Sequence, residues 1–272
     1  MDIETNLSIY SAFWRIKVFR PVLRKLGWDY HSFMRKTLCL ENNNDIKHEY
    51  VATRKILGGL AIRCDLAKAT DRSIYFDRVY EKHIVDLIQK ELRPGDIFID
   101  IGSCIGYYAL LASAFTGEKG QVIAFEPDKD NYSRLMKNIS LNGSKNIVVH
   151  QKAVSNVNAE LEFHINPLNN GGHSLNEFED YSSARVDKVM AVRMDDFIDK
   201  ELPGQLIKWV KIDVEGHQME VLEGMSSLLA RQRPRLIVEH PSDKENLLIE
   251  FLTNYNYKVL RIGYQDYYCY HE

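Results

Sequence analysis

Residues Gly95–Gly106 read G-D-I-F-I-D-I-G-S-C-I-G, an apolar run that ends at Asp100 and turns at once into a loop carrying Gly102 and Gly106. Pro94-Gly95 and the glycine loop bound a segment of buried-strand length, and the apolar, small-residue stretch from Ile105 to Phe115 predicts a helix. Strand, glycine turn and helix in direct succession point to a nucleotide-bearing cofactor. Glycine adopts backbone angles closed to other residues and lets a ligand approach the chain, while free N–H groups at a helix start favour an anionic group. From Pro94 onward strand and helix patterns alternate, which predicts a parallel sheet covered on both faces and wound by right-handed crossovers.

The next strand, Gln121–Glu126, ends in an acid, as expected where a carboxylate accepts from the two hydroxyls of a ribose. A dinucleotide fingerprint needs G-x-G-x-x-G, but Cys104 and Tyr107 stand where its second and third glycines would fall, and no phosphate loop ending in Gly-Lys-Ser/Thr is present. The pattern D-x-G-x-x-x-G from Asp100, followed by Phe125-Glu126-Pro127, resembles the first two cofactor motifs of S-adenosylmethionine (SAM) dependent methyltransferases. It marks Asp100, Gly102, Ser103, Gly106, Glu126 and Pro127 as cofactor contacts. Asp128 is placed to cap a helix with apolar positions Tyr132, Leu135, Met136 and Ile139, stopped by Asn142-Gly143, and a third strand follows at Asn146–Gln151. The resemblance implies that Ala153, just past that strand, borders the adenine.

Trp209-Val-Lys-Ile-Asp213-Val-Glu215-Gly216-His217 repeats the pattern of a strand ending in carboxylates, a glycine and a helix. With Val192–Phe197 before it and Leu236-Ile-Val-Glu239-His240 after it, the segment resembles the FkbM family of methyltransferases, whose hallmark is K-x-D-x-E-G. The resemblance runs from about Tyr75 to His240. It implies an α/β fold with a Rossmann-like seven-stranded methyltransferase sheet flanked by helices, SAM as cofactor with Asp213 among its contacts, and a closing antiparallel hairpin at Tyr257–Tyr270. The expected organisation is an N-terminal helical and β extension over residues 1–75 and a catalytic domain over 76–272.

Methyl transfer from a sulfonium is an in-line displacement, so the enzyme aligns donor with acceptor and excludes water. An alcohol acceptor must also lose its proton, which calls for a carboxylate or imidazole within hydrogen-bond reach. Ligands of open α/β sheets sit beyond the carboxyl ends of the strands, so Asp213, Glu215, His217, Glu239 and His240 are expected to converge there as base and acceptor contacts. For Glu215 a purely structural role at the positive end of the following helix is the competing reading, and for His217 a solvated surface position. Asp195-Asp196 are read as structural, following an edge strand and capping a short helix at Phe197–Lys200. Asp213 with Glu239 and His240 also offers ligands to a divalent metal, but no tight multi-carboxylate loop is present and no metal is expected.

The reading is therefore O-methylation of a hydroxyl on a small molecule, sugar or secondary metabolite, in a biosynthetic setting. Nitrogen or carboxylate transfer on the same fold is the alternative. A nicotinamide-dependent reductase is disfavoured by the missing third glycine and by the lack of a Tyr-x-x-x-Lys pair after a strand. A net charge of -3 over 272 residues gives no basic field for nucleic acid. Cysteines 39, 64, 104 and 269 form no C-x-x-C pair and no zinc spacing, and read as reduced thiols of a cytoplasmic protein. No stretch reaches the length of a membrane span, so stable insertion is not expected. Leu7, Tyr10, Trp14 and Val18 recur at helical spacing beside basic residues, a stripe that calls for burial on the domain itself or on a second copy in a homodimer.

Overall fold

The computed structural model describes residues 51–272 apart from 67, 78, 167–170 and 177–184. The aromatic stripe near the N-terminus, the polar turn Asn42–Asp45 and Cys39 lie outside the described residues. In chain order the elements are β1 (Val51–Lys55), β2 (Ala61–Asp65), α1 (Ala69–Phe76), α2 (Lys82–Glu91), β3 (Ile97–Ile101) and α3 (Tyr107–Thr116). There follow β4 (Gln121–Phe125), α4 (Lys129–Asn142), β5 (Ile147–His150), β6 (Ala153–Ser155), β7 (Ala159–Ile165) and β8 (Arg185–Arg193). The chain ends with α5 (Met194–Glu201), β9 (Ile207–Ile212), α6 (Gln218–Gly224), α7 (Ser226–Arg231), β10 (Arg235–Glu239), α8 (Glu245–Thr253), β11 (Lys258–Arg261) and β12 (Asp266–Tyr270).

The main sheet has seven strands in the order β11-β12-β10-β9-β3-β4-β5. Strands β10, β9, β3, β4 and β5 run parallel, β12 is antiparallel to β10, and β11 returns antiparallel to β12. This is the seven-stranded methyltransferase sheet, closing hairpin included. Chain order reverses at β3, whose neighbours are β4 on one side and β9 on the other, and such a switch point leaves a crevice beyond the carboxyl ends of the strands. The strands read as unbroken apolar runs because both faces are covered. Phe98, Phe125, Trp209 and Tyr267 are essentially inaccessible to solvent, each worth roughly 1.5–3 kcal/mol of burial.

Local chemistry sets the helix ends. The Asp128 carboxylate accepts from the Asp130 and Asn131 N–H groups at 3.0 and 2.8 Å, and Gly143, at φ 63°, ends α4 by donating to the Ile139 and Ser140 carbonyls. Helix α2 starts directly after Glu81, which holds a left-handed conformation at φ 44°. Strands β1 and β2 form a hairpin across Leu57–Gly59, and its β2 edge is tied to α4. There the Asn142 side chain accepts from the Ala61 N–H and donates to its carbonyl, both at 2.7 Å, and Asn138 Oδ1 accepts from the Arg63 N–H at 2.9 Å. Buried Asp71 on α1 pairs with Arg134 of α4. Val51–Glu272 form one compact unit.

A three-stranded sheet, β6-β8-β7, is inserted between β5 and β9. It corrects the reading of Asp195-Asp196. Strand β8 before them is the central strand of this sheet rather than an edge, and the two residues lie in the first turn of α5 rather than capping it. The Asp195 carboxylate instead accepts from the Ser227 and Leu228 N–H groups, both at 2.9 Å, and so satisfies the start of α7. Sequence order hides this partner because the unpaired donors belong to a different helix.

Candidate active site

Two glycines shape the loop after β3. At Gly102, φ 84°, an added Cβ would overlap the Asp213 carbonyl, and at Gly106, φ 90°, it would overlap the Leu135 side chain. The loop is thus pressed between the end of β9 and α4, with the Gly102 and Ser103 N–H groups both donating to the Phe125 carbonyl at 3.0 Å. Ser103 Oγ donates to the Asp100 carbonyl at 2.9 Å. The Asp100 side chain, near the end of β3, is buried and is not on the lining of either cavity described below. Burial raises its pKa to about 6 against the opposing pull of Lys211.

Glu126 leaves the end of β4 and is held from two sides. Its Oε2 accepts from the Cys104 N–H at 2.7 Å and its Oε1 from the Asp128 N–H at 2.9 Å. Burial lifts its pKa to about 8, with those donors pulling the other way. It borders a cavity whose apolar walls are Ile101, Phe125, Ala153, Val154, Phe163 and Leu175, with Gly102, Pro127, Lys152 and His173 also on the lining. The site thus sets apolar walls beside a pre-oriented carboxylate and a glycine loop, a combination that can take a nucleoside. Gly106 is not on this lining; it starts α3.

A second cavity, of about 250 Å³, adjoins the first through Gly102, Cys104, Gly171 and Asp213. It brings Asp213, Glu215 and Glu239 together, their nearest oxygens all within 4.8 Å of one another, and adds Glu81. Lys211 is 3% exposed, pairs with Asp213 Oδ2 at 2.7 Å and lies 4.6 Å from the centre of the Tyr108 ring. Burial alone would depress the Lys211 ammonium, but Asp213, Asp100 and Glu81 outweigh it and raise its pKa. Glu239 is raised to about 10, first by the Asp213 charge and then by burial, and Glu215 to about 8, first by burial and then by Asp213. Glu81, also raised by burial, accepts from the Tyr108 hydroxyl at 2.5 Å. Three carboxylates around one committed ammonium could also hold a divalent ion.

The two histidines do not join this group. His217 lines the first cavity, with Nε2 2.9 Å from Ser155 Oγ, and its pKa is lowered by burial. His240 borders neither cavity; its Nε2 donates to the Lys244 carbonyl at 3.0 Å, and burial lowers its pKa too. Of five residues expected at one rim, the fold gathers the three carboxylates.

Glu81, Cys104 and Glu215, three of five non-glycine residues with left-handed backbone among the described residues, all line the second cavity. Such conformations cost of order 1 kcal/mol or more and cluster at functional sites. At Glu215 the turn is pinned by the connection between β7 and β8: Ser174 Oγ donates to the Glu215 carbonyl at 2.5 Å and Asn176 Nδ2 to the Gly216 carbonyl at 2.8 Å. Sequence reading missed Glu81, Tyr80, Tyr107 and Tyr108. The two tyrosines directly after Gly106 were the available signal, whereas Glu81 had none.

Comparison with known proteins places this geometry. The family model described as "Methyltransferase FkbM domain" matches residues 100–259, more than half of the chain. The hexuronic acid methyltransferase AglP of Haloferax volcanii is 29% identical over 176 residues, covering 62% of this chain and 68% of that protein. "Methyltransferase 1" of Beauveria bassiana is 24% identical over 154 residues, 48% of this chain and 59% of its own length. A crystal structure of a methyltransferase FkbM from Methylobacillus flagellatus KT aligns with TM-score 0.46 and 17% identity, over 68% of this chain and 50% of that one.

Proposed function

Because the chain belongs to the FkbM methyltransferase family and is a SAM-dependent enzyme, we propose that it methylates a hydroxyl of a small-molecule or glycan acceptor, with Glu215 as the base. The observation that carries this reading is the pair of adjoining cavities meeting at Gly102, Cys104, Gly171 and Asp213. One has the walls and acid for an adenosine; the other has carboxylates and tyrosines and no nucleotide features. When bound, SAM supplies an electrophilic methyl group on a sulfonium.

The chain's own residues do the rest. Glu126 and the apolar slot orient the nucleoside, and the glycine loop lets the amino-acid end pass toward the strand ends. Glu215, with a pKa of about 8, is poised near working pH to take the hydroxyl proton as the carbon–oxygen bond forms. The raised pKa of Glu239 keeps it protonated and the Lys211 ammonium neutralises Asp213, so both orient the acceptor without competing as base. The sugar named for the Haloferax relative supports a glycan-type acceptor. Mass and NMR analysis of product made from methyl-labelled SAM tests the reading: an ether methyl is expected, and an N-methyl or methyl-ester product overturns it. Consumption of the label that is unaffected by EDTA is also expected.

A further inference from the structure

Resting on the proposed function, we infer that Ser174 and Asn176 are positioning residues for Glu215: they aim the base while touching neither cofactor nor acceptor. Glu215 sits in a turn that local chemistry does not favour, with φ 48° at Glu215 and φ 96° at Gly216. A non-glycine residue keeps such a conformation only where its surroundings over-determine it. The residues just before the turn are held by the main sheet, with the Asp213 N–H donating to the Ile101 carbonyl at 3.0 Å. The turn itself is held from residues 171–176, which lie between β7 and β8.

Ser174 is 2% exposed, and its backbone exchanges hydrogen bonds with His164 of β7 at 2.7 and 3.1 Å. Its hydroxyl donates to the Glu215 carbonyl while the same oxygen accepts from the Asn176 N–H at 2.9 Å. The hydroxyl is thus used both as donor and as acceptor, which fixes its direction. Asn176 Nδ2 donates to the next carbonyl, that of Gly216, and lies so close that a Cβ on Gly216 would stand 3.1 Å from it. Peptide units are planar, so holding two successive carbonyls orients the chain directly after the Glu215 Cα, and with it the Glu215 side chain.

The chain beyond the turn is tied to the same inserted sheet. His217 Nε2 lies 2.9 Å from Ser155 Oγ on β6, and α6, which starts directly after His217, packs so tightly on β6 that a Cβ on Gly224 would overlap the Ser155 carbonyl. Glu215 borders the acceptor cavity, whereas Ser155, Ser174 and Asn176 border neither cavity. A change at Ser174 or Asn176 therefore reaches the reaction through the turn and not through a ligand contact. A misplacement of about 1 Å in a reacting group can cost roughly a hundredfold in rate, so two hydrogen bonds behind the site are enough to be read in turnover.

The test compares the full wild-type chain with Ser174→Ala, Asn176→Ala and the double variant; Asn176 is exposed, so its truncation leaves the packed core untouched. Affinity for S-adenosylhomocysteine, read by calorimetry, should stay within about twofold in all of them, while amide hydrogen exchange over residues 214–218 should quicken at least about tenfold in the double variant. Turnover of methyl-labelled SAM is read with a methyl hexoside and the matching hexuronide as acceptors. On whichever of these the wild type methylates, kcat should fall about tenfold in each single variant, with the KM for acceptor within about threefold. In a Glu215→Gln background the same changes should cost less than about twofold, because no base remains to be aimed. Unchanged exchange over the turn, or equal losses of kcat in both backgrounds, overturns the inference. Full turnover in Glu215→Gln overturns the proposed base instead. A wild type that methylates neither acceptor overturns the acceptor class, and the exchange result then decides the inference by itself.

Discussion

Glu126 and Glu239 are both glutamates at or just past the carboxyl ends of parallel strands in one sheet, and both carry raised pKa values, yet their surroundings differ in kind. Glu126 is raised by burial while two backbone N–H groups grip its oxygens and fix its direction. Glu239 is raised first by a neighbouring carboxylate, Asp213, with Glu215 also pushing its pKa up. In the proposed function the first is a preorganised acceptor for hydroxyls that do not react. The second belongs to a cluster of carboxylates around one cavity. The same side chain at the same level of the same sheet is fixed in direction by amides in one place and held protonated by acids in the other.

The comparison breaks most visibly at Glu215. Glu215→Gln should lower turnover by roughly 100- to 10,000-fold, the range for loss of a general base, with SAM affinity changed only a few-fold. The wild-type rate should climb as pH rises through about 8, because the carboxylate must lose its proton to act, and that limb should vanish in the variant. A variant that keeps wild-type turnover would move the base elsewhere.

Lys211→Met should produce the next largest effect, on stability. Removing one member of a buried pair leaves Asp213 uncompensated, a loss of about 3–5 kcal/mol, read as a fall in denaturation midpoint at constant slope. Adding Asp213→Asn should recover part of that loss, since it removes the stranded charge. A single variant as stable as wild type would mean that the pair is solvated.

Glu126→Ala sharpens the other side. It should weaken SAM binding by about 1–3 kcal/mol, the range for loss of two neutral hydrogen bonds, while turnover at saturating SAM stays within a few-fold. Calorimetry showing unchanged affinity would remove Glu126 from the cofactor site.

Much of this was legible in the chain. Gly95–Gly106 predicts strand, turn and helix because each residue type there has one dominant local reason to be present, and the K-I-D-V-E-G run at 211–216 marks a second strand end of the same kind. Helix α4 was legible from its Asp128 cap to its Gly143 stop for the same reason. Asp195 was misread because a cap is recognised by nearness in sequence, and its real partners lie on α7.

By itself the sequence determined alternating strands and helices, the glycine loop and an acid at the end of the second strand, since these follow from periodicity, backbone freedom and residue chemistry within short windows, while the seven-stranded sheet came with the family resemblance. Only the tertiary structure decided which of those groups meet. Parallel pairing of β9 with β3 and β10 sets Asp213, Glu215 and Glu239 around one cavity, and a left-handed turn before α2 carries Glu81 there from outside any motif. The same packing points His217 at Ser155 and His240 at the Lys244 carbonyl. A strand end fixes where a side chain starts, but the neighbours it meets come from crossovers and insertions far away in sequence, and those neighbours set its charge and direction.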